Sequence, residues 1–238
     1  MSSGANDASP CILIVGASRG LGCAMAAEFG ARRGWRVIGT VRGGARTPLH
    51  DLADAHAGRI EIETLDMDEA EQIAALRDRL AGRVIDLLFV NAGTTTQDPV
   101  AAVGAVAKDD FVRVMLTNAL APMRVIEALQ DLVAKDGLIG AMSSGQGSIA
   151  NNETGLRDVY RASKAALNML MRSFAARQAG TGRAMVLMAP GWIRTDLGGD
   201  GAPYTIAESV PAIVDVLIAQ RGAPGLRYLD RFGRTVPW

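Results

Sequence analysis

The chain has 238 residues, 49% of them apolar, which suits one large α/β domain with a buried core better than two small domains. Lys plus Arg balance Asp plus Glu at 25 each, so no charge excess points to nucleic acid or to an anionic membrane as a partner. Apolar runs such as 84–90 are far too short to span a bilayer. Residues 1–10 are polar and small, without the basic and apolar stretches of a secretory signal. They are expected to form a flexible tail ahead of a single domain over 11–238. Cys11 and Cys23 lack the spacing of a disulfide framework or a zinc site. They read as small buried hydrophobes in a reducing cytoplasm, and no metal site is expected.

In chain order, β-rich runs fall at 11–15, 35–40, 59–65, 84–90, 138–142, 184–188 and 226–228. Helical patterns alternate with them near 21–33, 68–81, 109–120, 123–134, 159–178 and 206–220. The stretch holding His50 and His56 reads as a polar connection with no assigned role. Several strands are near-continuous apolar runs, as when helices cover both faces of a parallel sheet. The expected fold is therefore α/β: a Rossmann-type, doubly wound parallel sheet of about seven strands flanked by helices on both faces. In such a sheet ligands gather beyond the carboxyl ends of the strands. Gly16 follows the first strand there, and Thr40 and Arg42 follow the second. Asp66 follows the third, Asn91-Ala92-Gly93 the fourth, Ser143-Ser144 the fifth and the run from Pro190 to Thr195 the sixth.

The first strand runs into Gly16-Ala17-Ser18-Arg19-Gly20-Leu21-Gly22 and then a helix. Glycines allow the tight turn and let backbone N–H groups approach a pyrophosphate at the helix N-terminus. The spacing is Gly-x3-Gly-x-Gly, distinct from G-x-G-x-x-G and from a Walker loop. A carboxylate about 20 residues further on would bind the ribose 2′-hydroxyl of NAD. Thr40 stands there instead, followed by Arg42, and Arg19 lies inside the turn. Two guanidinium groups and no carboxylate suit a 2′-phosphate, so NADP(H) is the expected cofactor, with NAD(H) as the alternative. Asp66, with Met67 beside it, is placed either to accept from the adenine amine or to cap the helix that follows.

Tyr160 and Lys164 lie four residues apart, on one face of the expected fifth helix. A free phenol titrates near pH 10, and a nearby ammonium favours its ionised form. The pair reads as a proton-transfer device working beside the hydride donor that the glycine turn would hold.

Together Gly16-x3-Gly20-x-Gly22, Asn91-Ala92-Gly93, Asn118, Ser144, Tyr160-x3-Lys164 and Pro190-Gly191-x3-Thr195 resemble the short-chain dehydrogenase/reductase pattern, in family order and from residue 11 onward. Ser143-Ser144-Gly-Gln-Gly-Ser148-Ile149 and the Pro190-Gly-Trp-Ile-Arg-Thr-Asp run resemble more narrowly the branch of C-factor-like proteins and sniffer-type carbonyl reductases. The resemblance implies that Tyr160 is the general acid in reduction and the base in oxidation. It implies that Lys164 lowers the Tyr160 pKa and holds the nicotinamide ribose, and that Ser144 holds the substrate oxygen. Asn118 would steady a water linking Lys164 to solvent. Asn91, Ala92 and Gly93 would line the adenine and ribose side, and Thr195, with the Ile193 backbone and the Pro190-Gly191 turn, would orient the carboxamide.

Val15 and Val90 stand where many relatives carry Thr and Asn. Ser144 lies sixteen residues before Tyr160, a long gap that fits the insertion of the C-factor/sniffer branch; without that match Ser148 is the alternative, and Ser143 is the third candidate. The substrate pocket is expected between residues 144–151, 94–97 and a short lid over 192–205 hinged at the glycines of 198–201, with Trp192, Ile149 and Tyr204 as apolar walls. No Arg or Lys cluster points to a strongly anionic substrate, Arg194 being the one basic residue in that wall. The expected substrate is a medium-sized aldehyde, ketone or secondary alcohol. Turnover by an NADPH-dependent oxidoreductase is the first reading; a cofactor-binding signalling or regulatory protein of the C-factor type is the alternative. The resemblance implies a homodimer or homotetramer built on the 109–134 helices or the C-terminal strand.

Overall fold

The computed structural model describes residues 9–238, so most of the tail expected at 1–10 lies outside the described residues. Seven parallel strands form one sheet in the order β3-β2-β1-β4-β5-β6-β7. They are β1 (Cys11–Val15), β2 (Arg36–Val41), β3 (Ile60–Thr64), β4 (Ile85–Val90), β5 (Val133–Met142), β6 (Ala184–Ala189) and β7 (Gly225–Asp230). The order reverses between β1 and β4, and the crevice at that point opens beyond the strands' carboxyl ends.

Seven α-helices cover the sheet: α1 (Gly20–Ala27), α2 (Pro48–Ala55), α3 (Ala70–Arg79), α4 (Lys108–Met115), α5 (Ala121–Leu129), α6 (Asp158–Arg177) and α7 (Ile206–Ala219). Because strand side chains alternate in direction, each strand feeds two cores. Ile12, Ile14, Leu87 and Phe89 pack with Phe29, Leu49, Ile213 and Leu217 on the α1/α2/α7 side. Leu13, Val15, Leu88 and Val90 pack with Leu76, Ile126, Leu167 and Phe174 on the α3/α5/α6 side. This two-sided burial is why β1 reads Cys-Ile-Leu-Ile-Val without a polar residue.

Two elements differ from the sequence expectation. The stretch with His50 is a helix, α2, with Pro48 in its first turn. The Thr47 backbone N–H donates to His50 Nδ1 at 3.1 Å, so the histidine closes a capping box. The helix expected at 123–134 ends at Leu129, and β5 begins at Val133, five residues before the expected start. Val133 pairs with Ile85, and the register shifts before Leu138 meets Leu87, so the polar residues Lys135 and Asp136 ride on the strand's irregular start.

Helices α4 and α5 are joined without a break by a π-turn, Leu116–Leu120, in which the Ala121 N–H reaches back to Leu116 O. Pro122 follows in the first turn of α5 and has no N–H for the carbonyl four residues earlier, which belongs to Asn118. The wide turn places Asn118 fully buried behind the crevice.

Candidate active site

The crevice is a cleft of about 1080 Å³ lined from the carboxyl ends of β1 to β6. Its glycine turn is held from two directions. Thr40 Oγ1 accepts the Gly16 N–H at 2.9 Å, and Asn91 Nδ2 donates to Gly16 O at 2.8 Å. Gly16 adopts φ +86°, and a Cβ there would sit 2.6 Å from that of Ala92. A Cβ on Gly22 would sit 2.1 Å from Gly16 O, so the turn closes only on glycine.

The N-terminus of α1 opens onto the same cleft. Arg19, its N-cap residue, gives no side-chain cap, which leaves the first-turn N–H groups available to a ligand. A Cβ on Gly20 would meet nothing within 4 Å, so open space lies in front of those donors. Uncapped N–H groups at a helix start, facing a cleft of this size, fit a dinucleotide pyrophosphate. Arg42 is exposed at the cleft edge, while Arg19 pairs with Asp196 of the 192–205 loop. Ser18, Leu21, Met67, Ala92, Gly93 and Pro190 line the cleft as well. Asp66 Oδ1 accepts the Asp68 N–H at 3.2 Å, a local turn rather than a helix cap, since α3 starts at Ala70. Asp68 itself lines the cleft with Oδ1 buried and unpartnered, a position the sequence reading passed over.

At the other end of the cleft stand Ser144, Tyr160 and Lys164. Tyr160 and Lys164 share the buried face of α6. Burial pushes the Tyr160 phenol up from its ordinary value; a hydrogen bond with the Ser144 side chain and the nearby Arg157 charge pull it back down. Lys164 Nζ lies 5.9 Å from the Tyr160 ring centre and donates to Met142 O at 2.8 Å. Burial lowers the Lys164 pKa from 10.5 to about 8.

Of the three serines, only Ser144 meets Tyr160. Ser143 Oγ donates to Asn168 Oδ1 at 2.6 Å, and Ser148 Oγ accepts the Asn151 N–H at 3.1 Å. The Tyr228 hydroxyl donates to Ser144 O, and Asn168 Nδ2 donates to Gly147 O at 3.1 Å, so β7 and α6 together fix the serine loop. Tyr228 and Asn168 were missed as positioning residues because nothing in their local sequence marks them.

Asn118 departs from its expected role in detail. Its amide is fully engaged: Oδ1 accepts the Thr94 N–H at 2.8 Å, and Nδ2 donates to Thr94 O at 2.8 Å and to Ser163 Oγ at 2.9 Å. Pro122 supplies no N–H to the Asn118 backbone carbonyl four residues earlier.

The far wall also differs. Ile149 is 75% exposed and does not line the cleft, and Tyr204 stacks on Arg231, 3.8 Å from guanidinium carbon to ring centre. Gln97 borders a separate groove with Asp110. Trp192 does line the cleft, with Nε1 donating to Gly198 O at 2.7 Å, and Leu197 and Ile206 add apolar surface. Thr195 Oγ1 accepts the Gly198 N–H at 3.0 Å and closes its own loop, while Ile193 forms a bridge to Tyr204 and Gly191 lies against Arg231. Arg194 Nε is tied to Ala202 O at 2.7 Å. Among the described residues no cluster of His, Cys, Asp or Glu is placed to hold a metal, and no helix is long and apolar enough to cross a membrane.

A seven-stranded doubly wound sheet with a glycine-turn cradle and a Ser/Tyr/Lys cluster in one cleft defines an oxidoreductase of the nicotinamide-dependent class. The chain belongs to the short chain dehydrogenase family, whose profile matches residues 10–202. It is similar to a short-chain dehydrogenase/reductase from Burkholderia multivorans crystallised with bound NADP, at 65% identity and a TM-score of 0.95 over 97% of this chain and 100% of that one. The C-signal protein of Myxococcus xanthus is 35% identical over 156 residues, 65% of this chain and 93% of that protein. The carbonyl reductase Sniffer of D. melanogaster is 26% identical with a TM-score of 0.87, over 97% of this chain and 100% of that one. The resemblance to the C-factor/sniffer branch therefore holds.

Proposed function

We propose that the chain is an NADPH-dependent carbonyl reductase with Tyr160 as the proton donor to the substrate oxygen. The observation that carries this reading is Tyr160 beside Ser144 in the same cleft as the glycine turn. Bound NADPH supplies the hydride to the carbonyl carbon. Tyr160 gives its proton to the oxygen, so the C=O becomes an alcohol and the phenol becomes a phenolate. Ser144 offers a neutral hydroxyl donor where negative charge develops on that oxygen. Lys164, anchored on Met142 O, would offer its remaining protons to the nicotinamide ribose and, through water near Asn118, would return a proton to Tyr160.

Arg42 and Arg19 suit the 2′-phosphate, and the NADP bound in the Burkholderia relative supports the same choice. The substrate class, a small to medium aldehyde or ketone, rests on the volume of the cleft and on the carbonyl reductase among the relatives. Exposed Phe111 and Val112 on α4 support a homo-oligomer through the 109–134 helices. A panel of aldehydes and ketones assayed with NADPH and with NADH tests the reading. NADPH-linked turnover supports it. Tight NADPH binding with no turnover on any of them favours the second reading, a cofactor-binding signalling protein, which the similarity to the C-signal protein motivates.

A further inference from the structure

Arg157 lines the cleft beside Tyr160, and the reductase reading gives it no role. It directly precedes α6 and adopts a left-handed backbone, φ +58° and ψ +40°, next to Leu156 at φ +64°. Two consecutive non-glycine residues in that region are uncommon and cluster where function needs them. The conformation carries the guanidinium over the Tyr160 ring, 4.9 Å from guanidinium carbon to ring centre.

Arg157 lines the cleft, and its Nε is buried without a hydrogen-bond partner. The nearby carboxylates are committed elsewhere. Asp158 accepts the Val103 N–H at 3.1 Å, Asp196 pairs with Arg19, Asp66 accepts the Asp68 N–H, and Asp68 accepts the Thr117 hydroxyl through Oδ2, its Oδ1 making no hydrogen bond to Arg157. Gln146 Oε1, in the same cleft, is likewise buried and unpartnered. A buried donor left open on a cation is costly unless a ligand completes it.

We propose that Arg157 anchors a carboxylate carried by the substrate itself, so that the enzyme's substrates are oxo acids. A guanidinium over the ring lies beside the phenol that meets the reacting oxygen, so carbonyl and carboxylate belong to one small molecule. The planar fork suits bidentate binding of that carboxylate. The proposal rests on the carbonyl reductase reading for its chemistry, and on the Arg157 geometry alone for the anion site.

The test uses pyruvate, acetoacetate and levulinate, each beside its methyl ester. NADPH-linked rates are measured together with calorimetric binding of each acid to the protein–NADP⁺ complex. In the wild-type protein at least one acid should exceed its ester in kcat/KM by about 30-fold or more, the usual consequence of a paired buried charge. Arg157→Met should collapse that ratio toward one and abolish binding of the acid; Arg157→Lys should restore part of both. Unchanged NADPH affinity in both variants reports an intact fold. Acids no better than esters in the wild-type protein, or a preference that survives Arg157→Met, overturns the proposal. Esters reduced while the acids neither bind nor react would remove the anion site and leave the reductase reading standing. Arg157-dependent binding of an acid without turnover of any compound would do the reverse.

Discussion

The Thr40 hydroxyl accepts the Gly16 backbone N–H at 2.9 Å, tying the end of β2 to the start of the glycine turn. Thr40 is 1% exposed, and its carbonyl accepts the Ala17 N–H as well. Thr40→Val keeps the shape and removes the acceptor, leaving a part-buried N–H unpaired. A loss of about 1–3 kcal/mol of stability is expected, together with weaker cofactor binding. Thr40→Ser should retain both, as measured by urea unfolding and NADPH titration.

Arg19 pairs with Asp196, so under the proposed function a cofactor 2′-phosphate would compete with Asp196 for Arg19. Both side chains are largely exposed, so the pair itself contributes little to stability. Asp196→Asn frees Arg19 and should tighten NADPH while leaving NADH nearly unchanged. Arg42→Ala should weaken NADPH about tenfold or more, a usual loss for a charged hydrogen bond. Fluorescence titration with both cofactors checks each variant; equal effects on NADH and NADPH would remove the 2′-phosphate from the explanation.

Burial lowers the Lys164 pKa to about 8, against 10.5 for the open side chain. Between those values the unfolded chain holds a proton that the folded chain has released, so this lysine makes stability rise with pH across that window. Below the folded value both states are protonated and the penalty is fully present. Lys164→Met should therefore be stabilised relative to wild type at about pH 7, with the gap narrowing toward about pH 10. Urea midpoints of the cofactor-free proteins across that range give the comparison.

Much of this was legible in the sequence because the parallel sheet forces its ligand-binding residues to strand ends. Once the apolar runs were placed, Gly16, Asn91, Ser144 and Pro190 fell at one edge by topology. What sequence could not reveal depends on side chains that meet only after folding. Tyr228 reaches Ser144 from the far edge of the sheet, and the Asn118 amide is consumed by Thr94 and Ser163. Arg157 sits in a polar stretch with no motif around it, and only its left-handed backbone brings it over Tyr160. The α2 helix was a different kind of omission: Thr47-Pro48 with Leu49 and Leu52 carries a helix-start signal that the neighbouring polar residues masked.

The central claim is that Tyr160 delivers the proton. Tyr160→Phe keeps the ring under Arg157 and removes only the hydroxyl, so cofactor binding should persist while NADPH-linked carbonyl reduction falls by on the order of 10²–10⁴-fold, the usual contribution of a positioned acid. The most direct measurement is kcat for that variant beside its NADPH dissociation constant, on whichever carbonyl compound the wild-type protein reduces. Loss of kcat with a native dissociation constant is the predicted result. Turnover undiminished in Tyr160→Phe would contradict the account.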